Sequence, residues 1–133
     1  MRYPIGFKMA ARRGFTLWML ALLFNGCAET PIAAGNPKSA NLDLAPYTIR
    51  EDCADLAEGD RLDYRFESNA PVKFDIYYRD SNMIVEPITR EGVASDSAVF
   101  APQIPARYCL AWEAGPAGAL LSYRINIRRG SIR

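Results

Sequence analysis

Residues 61–79 read RLDYRFESNAPVKFDIYYR. Leu62, Tyr64 and Phe66 alternate with Arg61, Asp63, Arg65 and Glu67. Beyond Asn69-Ala70-Pro71, Val72, Phe74, Ile76 and Tyr78 alternate with Lys73, Asp75, Tyr77 and Arg79. A period of two sends successive side chains to opposite faces of a strand, so each run has one buried and one wet face. Two such runs joined by a short Asn/Pro turn predict a β-hairpin.

The same pattern continues outward on both sides. Asp80-Ser81-Asn82 is a turn, and residues 83–89 form a shorter strand that Pro87 confines to an edge or an irregular position. Glu91-Gly92-Val93 turns again, residues 97–101 form another strand, and Pro102 and Pro105 bracket a connection. In residues 107–113, RYCLAWE, Tyr108, Leu110 and Trp112 share one face, and Cys109, Ala111 and Glu113 the other. After the Gly115-Pro116-Ala117-Gly118 turn, Leu121, Tyr123, Ile125 and Ile127 alternate with Ser122, Arg124, Asn126 and Arg128. On the N-terminal side, β-favouring Tyr47-Thr48-Ile49 place a first strand over residues 44–51, leading into Cys53. Asp52, Asp55, Glu58 and Asp60, with Gly59, read as a solvated acidic bend; the EF-hand spacing that would make it a calcium loop is absent. Seven or eight short strands predict an all-β, jelly-roll-like antiparallel sandwich. Its core would hold Leu62, Tyr64, Phe66, Val72, Phe74, Ile76, Tyr108, Leu110, Trp112, Tyr123 and Ile125.

Residues 15–27, FTLWMLALLFNGC, are of another kind. The apolar run of residues 15–24 is too short for a membrane-spanning helix, which needs about 20 residues. It has the length of a secretory signal's apolar region. Arg2, Lys8, Arg12 and Arg13 precede it, with no acidic residue before Glu29, and either Met1 or Met9 can serve as the start. Leu23-Phe24-Asn25-Gly26-Cys27 resembles a bacterial lipobox, which implies acylation of Cys27. Two lipid anchors hold a protein stably on a membrane. Ala28 is not the Asp of an inner-membrane retention signal, so the resemblance implies the outer membrane, facing the periplasm. Small-x-small cleavage after Gly26-Cys27-Ala28 would instead discard Cys27 and release a soluble periplasmic protein. The expected organisation is a signal peptide over residues 1–26, a tether over 27–43 and a domain over 44–133. Residues 29–41, with two prolines and no apolar period, suit a flexible tether.

Removing 26 of the 133 residues leaves 107, one domain's worth. Four of the 16 basic residues go with them, leaving 12 against 15 acidic, a net charge of −3. That balance argues against a nucleic-acid partner. The chain has no histidine, the commonest metal ligand and general base, and no cofactor is expected. Cys53 and Cys109 remain as an even pair in an oxidising compartment and read as a disulfide, with two buried free thiols as the alternative. Lys73, Asp75, Tyr77 and Arg79, on the wet face of their strand, form a candidate polar and aromatic binding strip. The competing reading makes them cross-strand surface pairs. For hydrolysis the nominated carboxylate pairs are Asp75 with Asp80, and Asp63 with Glu86. A serine nucleophile would have only Lys38 or Lys73 as base. Arg124, Arg128, Arg129 and Arg133 form a basic tail that could meet anionic lipid.

Glu51-Asp52-Cys53, the run from Gly59 to Phe66, the strand from Pro71 to Ile76, Tyr108-Cys109-Leu110-Ala111-Trp112 and Tyr123-Arg124-Ile125 come in an order that resembles the GOLD (Golgi dynamics) domain. That resemblance implies a β-sandwich interaction module and a Cys53–Cys109 link. Ala106-Arg107 replaces the expected glycine before the late tyrosine, and Glu113-Ala114 stands where an asparagine is expected. No coiled coil follows, so cargo sorting does not carry over. The pattern is also similar to bacterial pre-peptidase C-terminal domains, which implies a non-catalytic module. The reading is therefore a lipid-anchored envelope module binding a protein or glycan; a small carboxylate hydrolase or a purely structural subunit are the alternatives. Mass spectrometry of the mature protein is expected to find an acylated Cys27 as the first residue. An unlipidated N-terminus at residue 29 would replace the tether with soluble export.

Overall fold

A computed structural model of the chain describes Ile32 and residues 34–131. The expected signal peptide, Cys27 and Arg133 lie outside the described residues. Within them the chain is all-β: β1 (Lys38–Leu44), β2 (Ile49–Leu56), β3 (Arg61–Asp80), β4 (Met83–Phe100), β5 (Ala106–Ala114) and β6 (Ala119–Arg128), all pairing antiparallel. The strand count is six rather than seven or eight, because the expected hairpin at Asn69-Ala70-Pro71 does not reverse. Residues 61–80 are one strand of 20 residues. Tight hairpin turns need φ > 0, and no residue from 68 to 71 has it. The chain bends instead: β3 takes five steps from Glu67 to Val72 where β4 takes two from Ser95 to Val93. Pro71, which has no N–H to offer the ladder, falls inside this bulge. The two strands expected at 83–89 and 97–101 likewise merge into β4, 18 residues long. Gly92 (φ 60°) lies at a register shift opposite the bend, and Pro87 in a second β4 bulge between the Ile76–Ile88 and Tyr78–Val85 pairs. The reversal comes at Ser81-Asn82, where Ser81 has φ 55° and Asp80 pairs with Met83.

The bend folds the sheet over on itself. Before it, β3 pairs with β6, from Arg61–Arg128 to Ser68–Leu121. After it, β3 pairs with β5, from Val72–Ala114 to Tyr77–Cys109. β1 extends the first half beyond β6, β2 extends the second beyond β5, and β4 flanks both. The apolar faces of the halves meet as a sandwich. Every side chain named above for the core is buried. Trp112 of β5 stacks on Tyr123 of β6 with ring centroids 4.4 Å apart, and lies 5.5 Å from Phe74, which contacts Phe66 and Tyr64. Leu56, Phe100, Leu121 and Ile127 complete the core.

Two polar clasps hold the layers where apolar contact ends. Asp52 of β2 is buried among Lys38 of β1 (2.5 Å), Arg50 (3.6 Å) and the Tyr123 hydroxyl of β6, which donates to it. Burial, with the adjacent Asp52 carboxylate, pushes the Tyr123 hydroxyl up to about 12. Asp60 accepts from the backbone N–H groups of Ala57 and Gly130 and from Arg129, all at 2.9 Å. Those two backbone bonds, more than the Arg129 charge, lower its pKa. The acidic bend is thus corrected: Asp52 and Asp60 are buried clasps, not solvated side chains.

The N-terminal expectations also shift. Lys38–Leu44, assigned to the tether up to residue 43, pairs with β6 along its whole length. Its inward positions are Lys38, Ala40, Leu42 and Leu44; a lysine and an alanine hide the period, and the lysine ends on Asp52. Tyr47 and Thr48 form a turn rather than a strand. Pro46 sets its first central residue, Tyr47 takes φ 58° at the second, and the Thr48 N–H donates to the Ala45 carbonyl at 3.2 Å. At the β5–β6 turn Gly118 has φ 69°, and a Cβ there would meet the Leu44 carbonyl at 2.5 Å.

Cys53 and Cys109 face each other in the β2–β5 register, with Cα atoms 4.0 Å apart, and are bonded. Closing a loop across 56 positions constrains the unfolded chain by roughly 4 kcal/mol. Urea unfolding of oxidised and reduced protein is expected to differ by about that amount. Asp60→Ala is expected to cost about 1–3 kcal/mol at neutral pH by leaving two N–H groups unmet. Because the folded pKa lies below the unfolded one, this contribution is complete above the unfolded value and disappears as pH falls through the folded one. Urea midpoints of the variant and the natural protein should therefore converge below about pH 4.

Candidate functional site

The predicted strip converges on one groove. β3 after its bend turns Phe74 and Ile76 inward, which leaves Lys73, Asp75, Tyr77 and Arg79 on the outer face between β5 and β4. All four line a depression of about 200 Å³, with Ile49 and Glu51 of β2, Ala111 and Glu113 of β5, and Ile84 and Glu86 of β4. The register explains its shape. Glu51 of β2 and Asp75 of β3 both pair with Ala111, so a methyl group stands between two carboxylates. Strands lie about 4.8 Å apart, so a row that reads Glu, Ala, Asp leaves space over its middle. The neighbouring rows are Ile49, Glu113 and Lys73 on one side and Cys53, Cys109 and Tyr77 on the other. The disulfide therefore adjoins the groove and ties down the strands that shape it.

The electrostatics are uneven. Asp75 is 9% exposed, and its Oδ1 is buried with no hydrogen-bond partner. Its Oδ2 lies 3.3 Å from the Lys73 ammonium. Leaving a buried acceptor unmet costs about 1–3 kcal/mol. The hydrogen bond and charge of Asp75 raise the Lys73 pKa, so Lys73 is a cation at neutral pH. The Tyr77 hydroxyl donates to Glu51 at 2.7 Å; burial first, then Glu51, raise its pKa and keep it a donor. Two isoleucines rim the groove at opposite sides, Ile49 at 58% exposure and Ile84 at 54%.

The other nominated constellations do not assemble. Asp75 and Asp80 lie five residues apart along one strand, about 17 Å at 3.4 Å per residue, beyond the roughly 5–9.5 Å of glycosidase pairs. Asp63 sits in the half before the bend, 3.1 Å from Arg128, whereas Glu86 lines the groove in the other half. Lys38 and Lys73, the candidate bases, are both engaged by aspartates. Of the basic tail, Arg128 is held by Asp63 and Arg129 by Asp60, while Arg124 stays on the outer face of β6. Among the described residues no three His, Cys, Asp or Glu side chains are grouped to hold a metal ion. Reasoning from sequence missed Glu51, Ala111, Glu113, Ile49 and Ile84, and paired Glu86 with Asp63 instead of with this groove. A signal for four of them was present: an antiparallel Cys53–Cys109 bond sets Glu51 opposite Ala111 and Ile49 opposite Glu113.

No protein-family model and no curated protein matches the chain. Among solved structures, the pre-peptidase C-terminal domain of collagenase from Bacillus anthracis superposes with a TM-score of 0.51 at 12% identity, over 76% of this chain and all of that one. A protein of Sulfurospirillum deleyianum gives a TM-score of 0.47 at 12% identity, over 71% of this chain and 99% of that one. The first likeness is one of fold, and it bears on the pre-peptidase C-terminal resemblance.

Proposed function

We propose that this protein is a lipid-anchored module of the cell envelope that binds a protein or glycan in the groove over Ala111, without catalysing a reaction. The observation that carries the reading is the convergence of Lys73, Asp75, Tyr77 and Arg79 with Glu51 and Glu113 on one depression beside the disulfide. Ligand pockets place a few polar groups on a rigid, largely preformed frame. Here the frame is a braced sheet rather than a loop. Two resemblances support a non-catalytic module: the ordered features similar to GOLD domains, and the fold shared with a pre-peptidase C-terminal domain. The anchor through Cys27 and the outer-membrane location belong to the same proposal and rest on the lipobox-like leader.

The test uses the full chain on a glycan array, in photo-crosslinking from position 84 in intact envelopes, and on a panel of hydrolase substrates. A ligand is expected whose capture falls at least roughly tenfold in Ala111→Leu, which fills the groove's floor. Capture unchanged by that substitution, or no ligand by either route, overturns the groove assignment. Turnover lost in Asp75→Asn or Glu51→Gln overturns the non-catalytic reading.

A further inference from the structure

We infer that the groove over Ala111 receives a cationic side chain, a lysine or arginine presented by a polypeptide partner. This rests on the binding-module reading and deepens it, choosing protein over glycan. Four carboxylates line the groove, Glu51, Asp75, Glu86 and Glu113, against two cations, Lys73 and Arg79. Among the described residues no cation lies within 4.0 Å of Glu86 or Glu113. Surplus negative charge on a rim selects positive partners and speeds their approach.

The acidic rim alone would be only a solvated surface. The second observation is Asp75, nine-tenths buried, with one oxygen lacking any donor. Lys73 sits on its other oxygen and occupies the place that a partner's ammonium would take. Lys73 has an alternative partner on the same side, Glu91 at 4.0 Å. An incoming cation can therefore meet Asp75 while Lys73 turns to Glu91, and neither ammonium group is left unpaired. Both carboxylates flanking Ala111 face the same space, and charge-assisted donors bind such oxygens more strongly than neutral hydroxyls do. Ile49, Ile84 and the Tyr77 ring offer apolar contact to an aliphatic stem, which suits a lysine or arginine. A sugar ring finds only one aromatic face among the lining residues, that of Tyr77.

The test is a ¹⁵N–¹H NMR titration of the full chain with capped lysine and capped arginine amides. Nε-acetyl-lysine and norleucine amides serve as neutral controls. The cationic amides are expected to shift the Glu51, Asp75, Ala111 and Glu113 resonances in the groove, with the neutral ones roughly tenfold weaker. Asp75→Asn should weaken the cationic amides by a similar factor, and Ser97→Ala, on the other half, should change nothing. Should Asp75→Asn perturb the fold, Glu113→Gln, on the half-exposed rim, is expected to weaken binding several-fold. Equal shifts from lysine and acetyl-lysine overturn the cation inference and leave the binding groove standing. Groove shifts from an array-selected glycan alone do the same. No groove shift from any of these ligands overturns both.

Discussion

A strand that bends without reversing is the constraint from which the rest follows. β3 carries the alternation of residues 61–79 through a bulge at residues 68–71, so both of its segments keep their apolar faces toward the same interior. Because the first segment bonds β6 and the second bonds β5, the two halves of the sheet are obliged to face each other. Only then can Trp112 of one half lie on Tyr123 of the other. Apart from Phe100 of β4, the core aromatics come from β3, β5 and β6, the three strands joined at the bend.

The polar clasps solve a problem that this arrangement creates. A sandwich of six strands has open margins where β1 and β2 end their halves. Asp52 and Lys38 close that margin, and Asp60 fastens the end of β6 to the β2–β3 turn. Acidic residues that look idle in the sequence thus supply cross-layer contacts. The acidic residues of the groove, in contrast, are left with more negative charge than their neighbours neutralise.

The groove shows how one covalent bond can organise the surface beside it. A disulfide between opposed residues allows β2 and β5 a single register. With it come the opposition of Glu51 and Ala111 and, through β5, the placing of Asp75 on the far side of the same alanine. A slip of one residue would exchange every outward side chain for an inward one. The floor and walls of the groove thus depend on the same register as the core.

Parity along each strand was legible in the sequence. The predicted core residues are all buried, the strip of Lys73, Asp75, Tyr77 and Arg79 faces outward, and Cys53 bonds Cys109. Parity is local: it follows from the period of two and needs no partner strand. Where a run was interrupted, local signals misled. Asn69-Ala70-Pro71 looked like a reversal and is a bend, and Lys38–Leu44 looked like a linker because its inward positions include a lysine and an alanine. Which strands would be neighbours, and so which carboxylates would share a hollow with Asp75, was decided by tertiary structure. Neighbours and register arise from hydrogen bonds between segments far apart in the chain, whose choice depends on how the whole apolar surface is buried together.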